Sequence, residues 1–223
     1  MNKDWSDKNK KMQTLISKES TFNEGIKVLL ELRSVLFDQI TSIVKNFPPG
    51  AFYELPFGEG DGTHHTTLAW SLWHVFRIED IVAHTLILND EQIFFTGGWK
   101  KKTNARIITT GNELSADKMI DFSKKLNVKA TYDYCKAVMN STDRLLKKLK
   151  FADLKNKFTE EDKARLTATN CVSSDESSAW LIDFWCEKKL KGLIQMPFSR
   201  HWIMHVEAMN RIKDKLCQKV KKL

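Results

Sequence analysis

From Thr66 to His84 the chain reads Thr-Thr-Leu-Ala-Trp-Ser-Leu-Trp-His-Val-Phe-Arg-Ile-Glu-Asp-Ile-Val-Ala-His, with apolar residues on nearly every side of a helix. A surface helix shows one apolar stripe; a helix that is apolar all round must be covered on more than one side. It therefore sits at the centre of a helical fold, or packs inside its own chain and also against a second subunit. Trp70, His74, Ile81 and Thr85 share one stripe, which turns His74 toward the interior. Leu68, Leu72, Val75, Val82 and Leu86 form a second stripe on the side away from His74, and this predicts a homodimer contact.

The last helix carries the second constraint. Pro197-Phe198-Ser199-Arg200-His201-Trp202-Ile203-Met204-His205 leads into Val206, Ala208, Ile212 and Leu216. Proline suits the first helical position because its missing N–H would be unpaired there anyway, so the reading starts a helix at Pro197. His201 and His205 then lie one turn apart on the inward stripe, about 6 Å apart at Cβ. Two imidazoles in that relation can hold one metal ion. His74 becomes a third ligand if the second and last helices are neighbours.

Three neutral imidazoles with an open fourth position make a catalytic rather than a closed structural site. A bound water would have its pKa lowered toward 7, or a thiolate would take the vacancy. Ligand type does not choose among zinc, nickel and ferrous iron. His84 lies about 80° round the axis from His74 by the helical period, and His64 and His65 precede the helix, so these three are bystanders. Glu79, Asp80, Glu187 and Glu207 are acidic neighbours, but Glu79 and Glu207 point away from the histidines by helix angle. The alternative to an enzyme is a non-catalytic helical bundle that binds a ligand or a protein partner, its histidines being remnants or structural ligands.

The remainder of the chain predicts an all-α fold. Few prolines and glycines stand against abundant Lys, Leu, Asp and Glu in 223 residues, a balance that favours helices. Residues 1–19 read as an N-terminal extension with a loosely attached helix, and 20–223 as the bundle domain. A first bundle helix over 20–47 starts with the capping-box pattern Ser20-Thr21-Phe22-Asn23-Glu24 and stops before Pro48-Pro49-Gly50. A glycine-broken connection, without the spacing of a phosphate loop, leads to the second helix over 66–89. A crossover of about 25 residues separates it from a third helix over 115–149, which permits a crossed rather than a hairpin connection. Extra short segments follow near 153, 159 and 173, with a helix over about 177–193, before the fourth bundle helix over 197–220, whose basic end frays from Lys219 to Leu223.

Four scattered cysteines without a CxxC pair indicate neither a disulfide framework nor a zinc ribbon. Reduced thiols, a polar start and no apolar run of membrane length predict a cytoplasmic protein without a membrane partner. The net charge of +8 sits in Lys-rich helix faces and helix ends; no nucleic-acid motif accompanies it, so nucleic acid is not the expected partner.

Two motifs resemble those of the DinB/YfiT-like superfamily, metal-dependent four-helix bundles that include thiol-dependent transferases. They are Trp73-His74-Val75-Phe76-Arg77-Ile78-Glu79-Asp80 and Arg200-His201-Trp202-Ile203-Met204-His205. The similarity spans roughly residues 20 to 218, with one histidine in the second helix and two in the fourth. It implies a divalent metal at His74, His201 and His205, a dimer, and a small-molecule substrate, with a low-molecular-weight thiol as the class the resemblance suggests. The helical segments between Asp153 and Met196 exceed the minimal bundle.

Overall fold

The computed structural model describes residues 2–220 and is all-helical; no strand occurs among the described residues. The N-terminal segment forms α1 (Lys3–Leu15), capped by the Asn2 side chain, which accepts from the Trp5 N–H at 3.2 Å. It is packed rather than loose: Trp5, Met12 and Ile16 are buried and α1 lies along α2 (Phe22–Asn46). Gly25 makes this close approach possible, since a Cβ there would stand 2.7 Å from the Ile16 backbone nitrogen. The expected capping box at Ser20–Glu24 does not form. Thr21 spends its hydroxyl on the Leu15 carbonyl at 2.7 Å, tying the end of α1 to the start of α2.

The second expected helix begins as α3 (Leu68–Asp80), capped by Thr67, and all thirteen of its residues are buried. It continues as a wider π-helical segment over Ile81–Leu88 and stops at Asn89 in the left-handed region. The stripe of Leu68, Leu72, Val75, Val82 and Leu86 is at most 2% exposed within the single chain. That corrects the argument for a dimer: the chain itself covers the face on which a second subunit was expected.

The crossover is not a plain loop. It holds two short helices, α4 (Ile93–Thr96) and α5 (Trp99–Thr103), and only then runs through an irregular stretch to residue 115. The third helix is broken into α6 (Ala116–Lys125) and α7 (Val128–Lys148). Leu126 is extended and the Asn127 side chain caps α7 by accepting from the Ala130 N–H at 3.0 Å. Asparagine at an N-cap satisfies a donor that a continued helix would not leave open.

The extra segments form α8 (Glu160–Ala168), with Thr159 and Asp162 in a capping box, then α9 (Glu176–Cys186) and α10 (Leu190–Gln195). Pro197 does not open the last helix. It lies inside a π-helical turn, Met196–Arg200, that joins α10 directly to α11 (His201–Val220). A proline ring cannot be accommodated in a regular α-helical interior; the wider turn absorbs it, and the His201 N–H reaches back to the Met196 carbonyl. The fraying end expected at Lys219–Leu223 lies, from residue 221 on, outside the described residues.

α2 and α3 each pack on both α7 and α11. Two apolar clusters result. One joins Leu36, Phe37, Trp73, Phe76, Tyr134 and Trp202 between those four helices; the other joins α1, the start of α2, the π-helical segment and α8–α10. The histidines sit where α3 meets the first turns of α11.

Candidate metal centre

The irregular stretch after α5 is fastened to α3 by side chains, not by backbone pairing. Arg77 donates to the carbonyl of Ile108 at 2.7 Å, Trp73 to Thr109 at 2.9 Å, His74 Nδ1 to Thr110 at 3.0 Å and Trp70 to Gly111 at 2.9 Å. Residues 70, 73, 74 and 77 form one helical face, so four successive carbonyls of an inner loop segment are satisfied by one stripe of donors. Gly111 has φ +82°, and a Cβ there would meet Trp70 Nε1 at 2.8 Å. Only glycine lets the loop come this near.

This ladder fixes His74. A carbonyl can only accept, so Nδ1 carries the proton and Nε2 presents its lone pair to the interior. The Trp70 indole stacks on the ring at 4.3 Å between centroids, with 10° between planes, and holds it in place. From α11, His201 and His205 approach the same point. Ring centroids lie 5.0 Å (His74–His201), 4.8 Å (His74–His205) and 4.5 Å (His201–His205) apart. One ligand nitrogen from each lies within 4.8 Å of the others, and all three residues are at most 8% exposed.

Burial lowers the His74 pKa to about 4, against the opposing effect of its bond to Thr110. Burial, and then the neighbouring imidazoles, push His201 and His205 well below the ordinary value. All three are thus neutral at pH 7, the form that binds metal.

The donor set fits a divalent ion on two observations. His74 Nε2 and His201 Nε2 are 3.2 Å apart, close to the edge of about 3.3 Å in a tetrahedron with metal–nitrogen bonds of about 2.0–2.1 Å. His205 Nδ1 is buried without a hydrogen-bond partner among the described residues, an unusual condition for a core histidine that an ion on that nitrogen would relieve; His201 Nδ1 is likewise unpartnered but is not the nitrogen turned toward His74.

A buried ion-pair network positions α11 against α3. Arg33 on α2 grips Glu79 through two bonds of 2.7 and 3.0 Å, donates to Asp143 at 2.7 Å and to the Phe198 carbonyl at 3.1 Å. Glu79 also accepts from the indole of Trp202, the residue next to His201, at 2.6 Å. Burial opposes the Arg33 charge, but Glu79 and Asp143 outweigh it and hold the guanidinium above its ordinary pKa. A second network joins Arg77, Asp80, Tyr134 and Gln92, with Asp80 capping α4 through the N–H groups of Ile93 and Phe94.

Neither a family model nor a curated protein sequence matches this chain.

His74, His201 and His205 are brought together as the sequence predicts. The remaining histidines are engaged elsewhere: His84 with Asp90 at 2.7 Å and Ser141 at 3.1 Å, His64 with the Asp61 carbonyl, and His65 with the Phe57 carbonyl. Glu79 and Asp80 face arginines, Glu187 caps the end of α9, and Glu207 accepts from the Asn2 backbone. Arg33 and the carbonyls of 108–111 were missed by sequence reasoning. The one legible signal was the donor spacing Trp70, Trp73, His74, Arg77 on a face that should have been apolar.

Proposed function

We propose that this chain is a metal-dependent enzyme whose three-histidine centre holds a divalent ion, zinc, nickel or iron, with a coordination position left for substrate. α2, α3, α7 and α11 form its four-helix bundle, in the manner of the DinB/YfiT-like proteins its motifs resemble. The observation that carries the reading is the convergence of three buried, neutral imidazoles, one of them locked as the Nε2-presenting tautomer by Thr110.

When bound, the ion supplies Lewis-acid chemistry, lowering the pKa of a water or thiol toward 7. The chain's own residues supply the rest. His74 is held by Thr110 and Trp70, and His201 by the turn at Pro197 and the Glu79–Trp202 bond. Ile78, Leu181 and Trp185 shield the His74–His201 side from bulk water. Reaction classes that fit are transfer to a small thiol and hydrolysis, and the substrate is a small molecule.

The rival is a metal-free core, favoured by one fact: 3.2 Å between two imidazole nitrogens is also a hydrogen-bond length. Protein purified without an affinity tag separates the two readings. About one equivalent of a divalent metal that survives dialysis, and is lost in His74→Ala, His201→Ala and His205→Ala while each variant stays helical, is expected. No retention of zinc, nickel or ferrous iron when each is offered overturns the enzyme reading.

A further inference from the structure

Beside the histidines lies a cavity of about 90 Å³. Its walls are His74, Ile78 and His201 on the bundle side, Met196 and Pro197 from the π-helical turn, and Trp180, Leu181, Phe184 and Trp185 from α9, with Asn112 at the rim. We infer that this cavity takes a single aromatic ring, delivered end-on to the histidine centre. For the position of the ring's polar head, the inference rests on the metal reading; for the ring itself it does not.

The size decides first. The space is several times the roughly 10–15 Å³ that one water needs and well below the roughly 300 Å³ at which pockets for drug-sized ligands begin. A closed apolar cavity of about 150 Å³ holds benzene, so this smaller, partly open space takes one ring with its outer edge in the mouth beside Trp180, and nothing larger. The chemistry of the walls decides next. The lining has no carboxylate and no lysine or arginine, so a charged substituent inside would be desolvated without a partner. Three aromatic side chains contribute, and Trp180 and Phe184 already meet edge to face at 5.4 Å and 75°. A third ring can extend the same edge-to-face pattern, an arrangement aromatic groups prefer.

The polar groups sit at the ends. His74 and His201 close the inner end, and the Asn112 oxygen is occupied by the Thr110 hydroxyl at 2.7 Å, so the donor at the rim is its amide N–H₂. Trp180 remains 51% exposed although large and apolar. Its indole N–H bonds to the Ser177 carbonyl at 3.0 Å, which fixes the ring at the cavity mouth. α9, the element that exceeds a minimal bundle, thus serves as the wall that selects the substrate.

Toluene and benzenethiol are nearly isosteric and separate the two parts of the inference. Toluene is expected to bind the metal-free wild-type protein, seen by saturation-transfer NMR and titration calorimetry. Phe184→Trp, which fills the space, should weaken it about tenfold or more; Trp180→Ala, on the exposed rim, should weaken it less and leave the helical signal intact. In cobalt(II)-loaded protein benzenethiol should displace toluene and give a sulfur-to-cobalt charge-transfer band. His201→Ala should lose that band and keep toluene. Absence of toluene binding to wild type, or binding indifferent to both α9 variants, overturns the ring pocket. Toluene binding that is blocked by Phe184→Trp in a protein that takes up no cobalt supports the pocket and defeats the metal reading alone.

Discussion

Arg33 and Glu79 are both fully buried, and each is tolerable there chiefly because of the other, with Asp143 and Trp202 completing the set of partners. Their mutual attraction offsets a desolvation cost that neither could meet alone. Removing one partner strands a charge, so Glu79→Gln or Arg33→Leu should each lose about 3–5 kcal/mol of stability, read from urea midpoints. The paired Arg33→Leu/Glu79→Leu variant should recover part of that loss, because the one carboxylate then left without its arginine, Asp143, is partly exposed to water. A double variant no better than either single one would show that packing, not charge, is what the pair supplies. Glu79→Gln should also reduce metal retention. Trp202 donates to Glu79 beside His201, and a neutral amide held by a weaker bond fixes that turn of α11 less firmly.

At the scale of elements, the steric fit of α1 on α2 turns on Gly25. The Gly25→Ala methyl would press on the Ile16 backbone, which cannot swing aside as a side-chain tip can. The variant should lose about 1–3 kcal/mol, and a thermal melt equal to wild type would contradict the packing of α1. Asn127→Ala should cost about 1 kcal/mol through the lost cap of α7. These elements also show what sequence could and could not convey. The histidine centre was legible because a spacing of four and a shared stripe with Trp70 are properties of single helices. The break at Leu126–Asn127 was hidden because the apolar period runs on across it from Phe122 to Val138. The π-helical turn was hidden because Pro197 fits an N-terminal position as well as a widened turn. The ladder of carbonyls from Ile108 to Gly111 showed only its donor side, Trp70, Trp73, His74 and Arg77, since every residue has a carbonyl and none marks itself as an acceptor. The apolar stripe could not carry the dimer expectation for a related reason: an all-round apolar helix says that it is covered, not by what.

For the whole molecule, the three imidazoles couple folding to protons and to metal. His74 has a folded pKa of about 4 against 6.5 for the free side chain, and burial depresses His201 and His205 in the same direction. Between those values the unfolded chain binds more protons than the folded one, so stability must fall as pH falls. The contribution is fully present above about pH 6.5 and is lost as pH drops toward 4, on the order of 3 kcal/mol for His74 alone. Acid also protonates carboxylates, so the informative quantity is a difference between variants. In chelator-treated protein, wild type should lose more stability between pH 6.5 and 5 than His74→Gln, whose amide does not titrate in that range. A bound divalent ion should raise stability at pH 7, by about 2.7 kcal/mol at a hundred times its dissociation constant, and steepen the acid limb as protons compete for the same nitrogens. Urea titrations at pH 7, 6 and 5, with and without zinc, measure both slopes. Parallel pH profiles for wild type and His74→Gln would mean that the folded protein already admits a proton at the cluster. The three nitrogens would then be sharing that proton, not waiting for a metal.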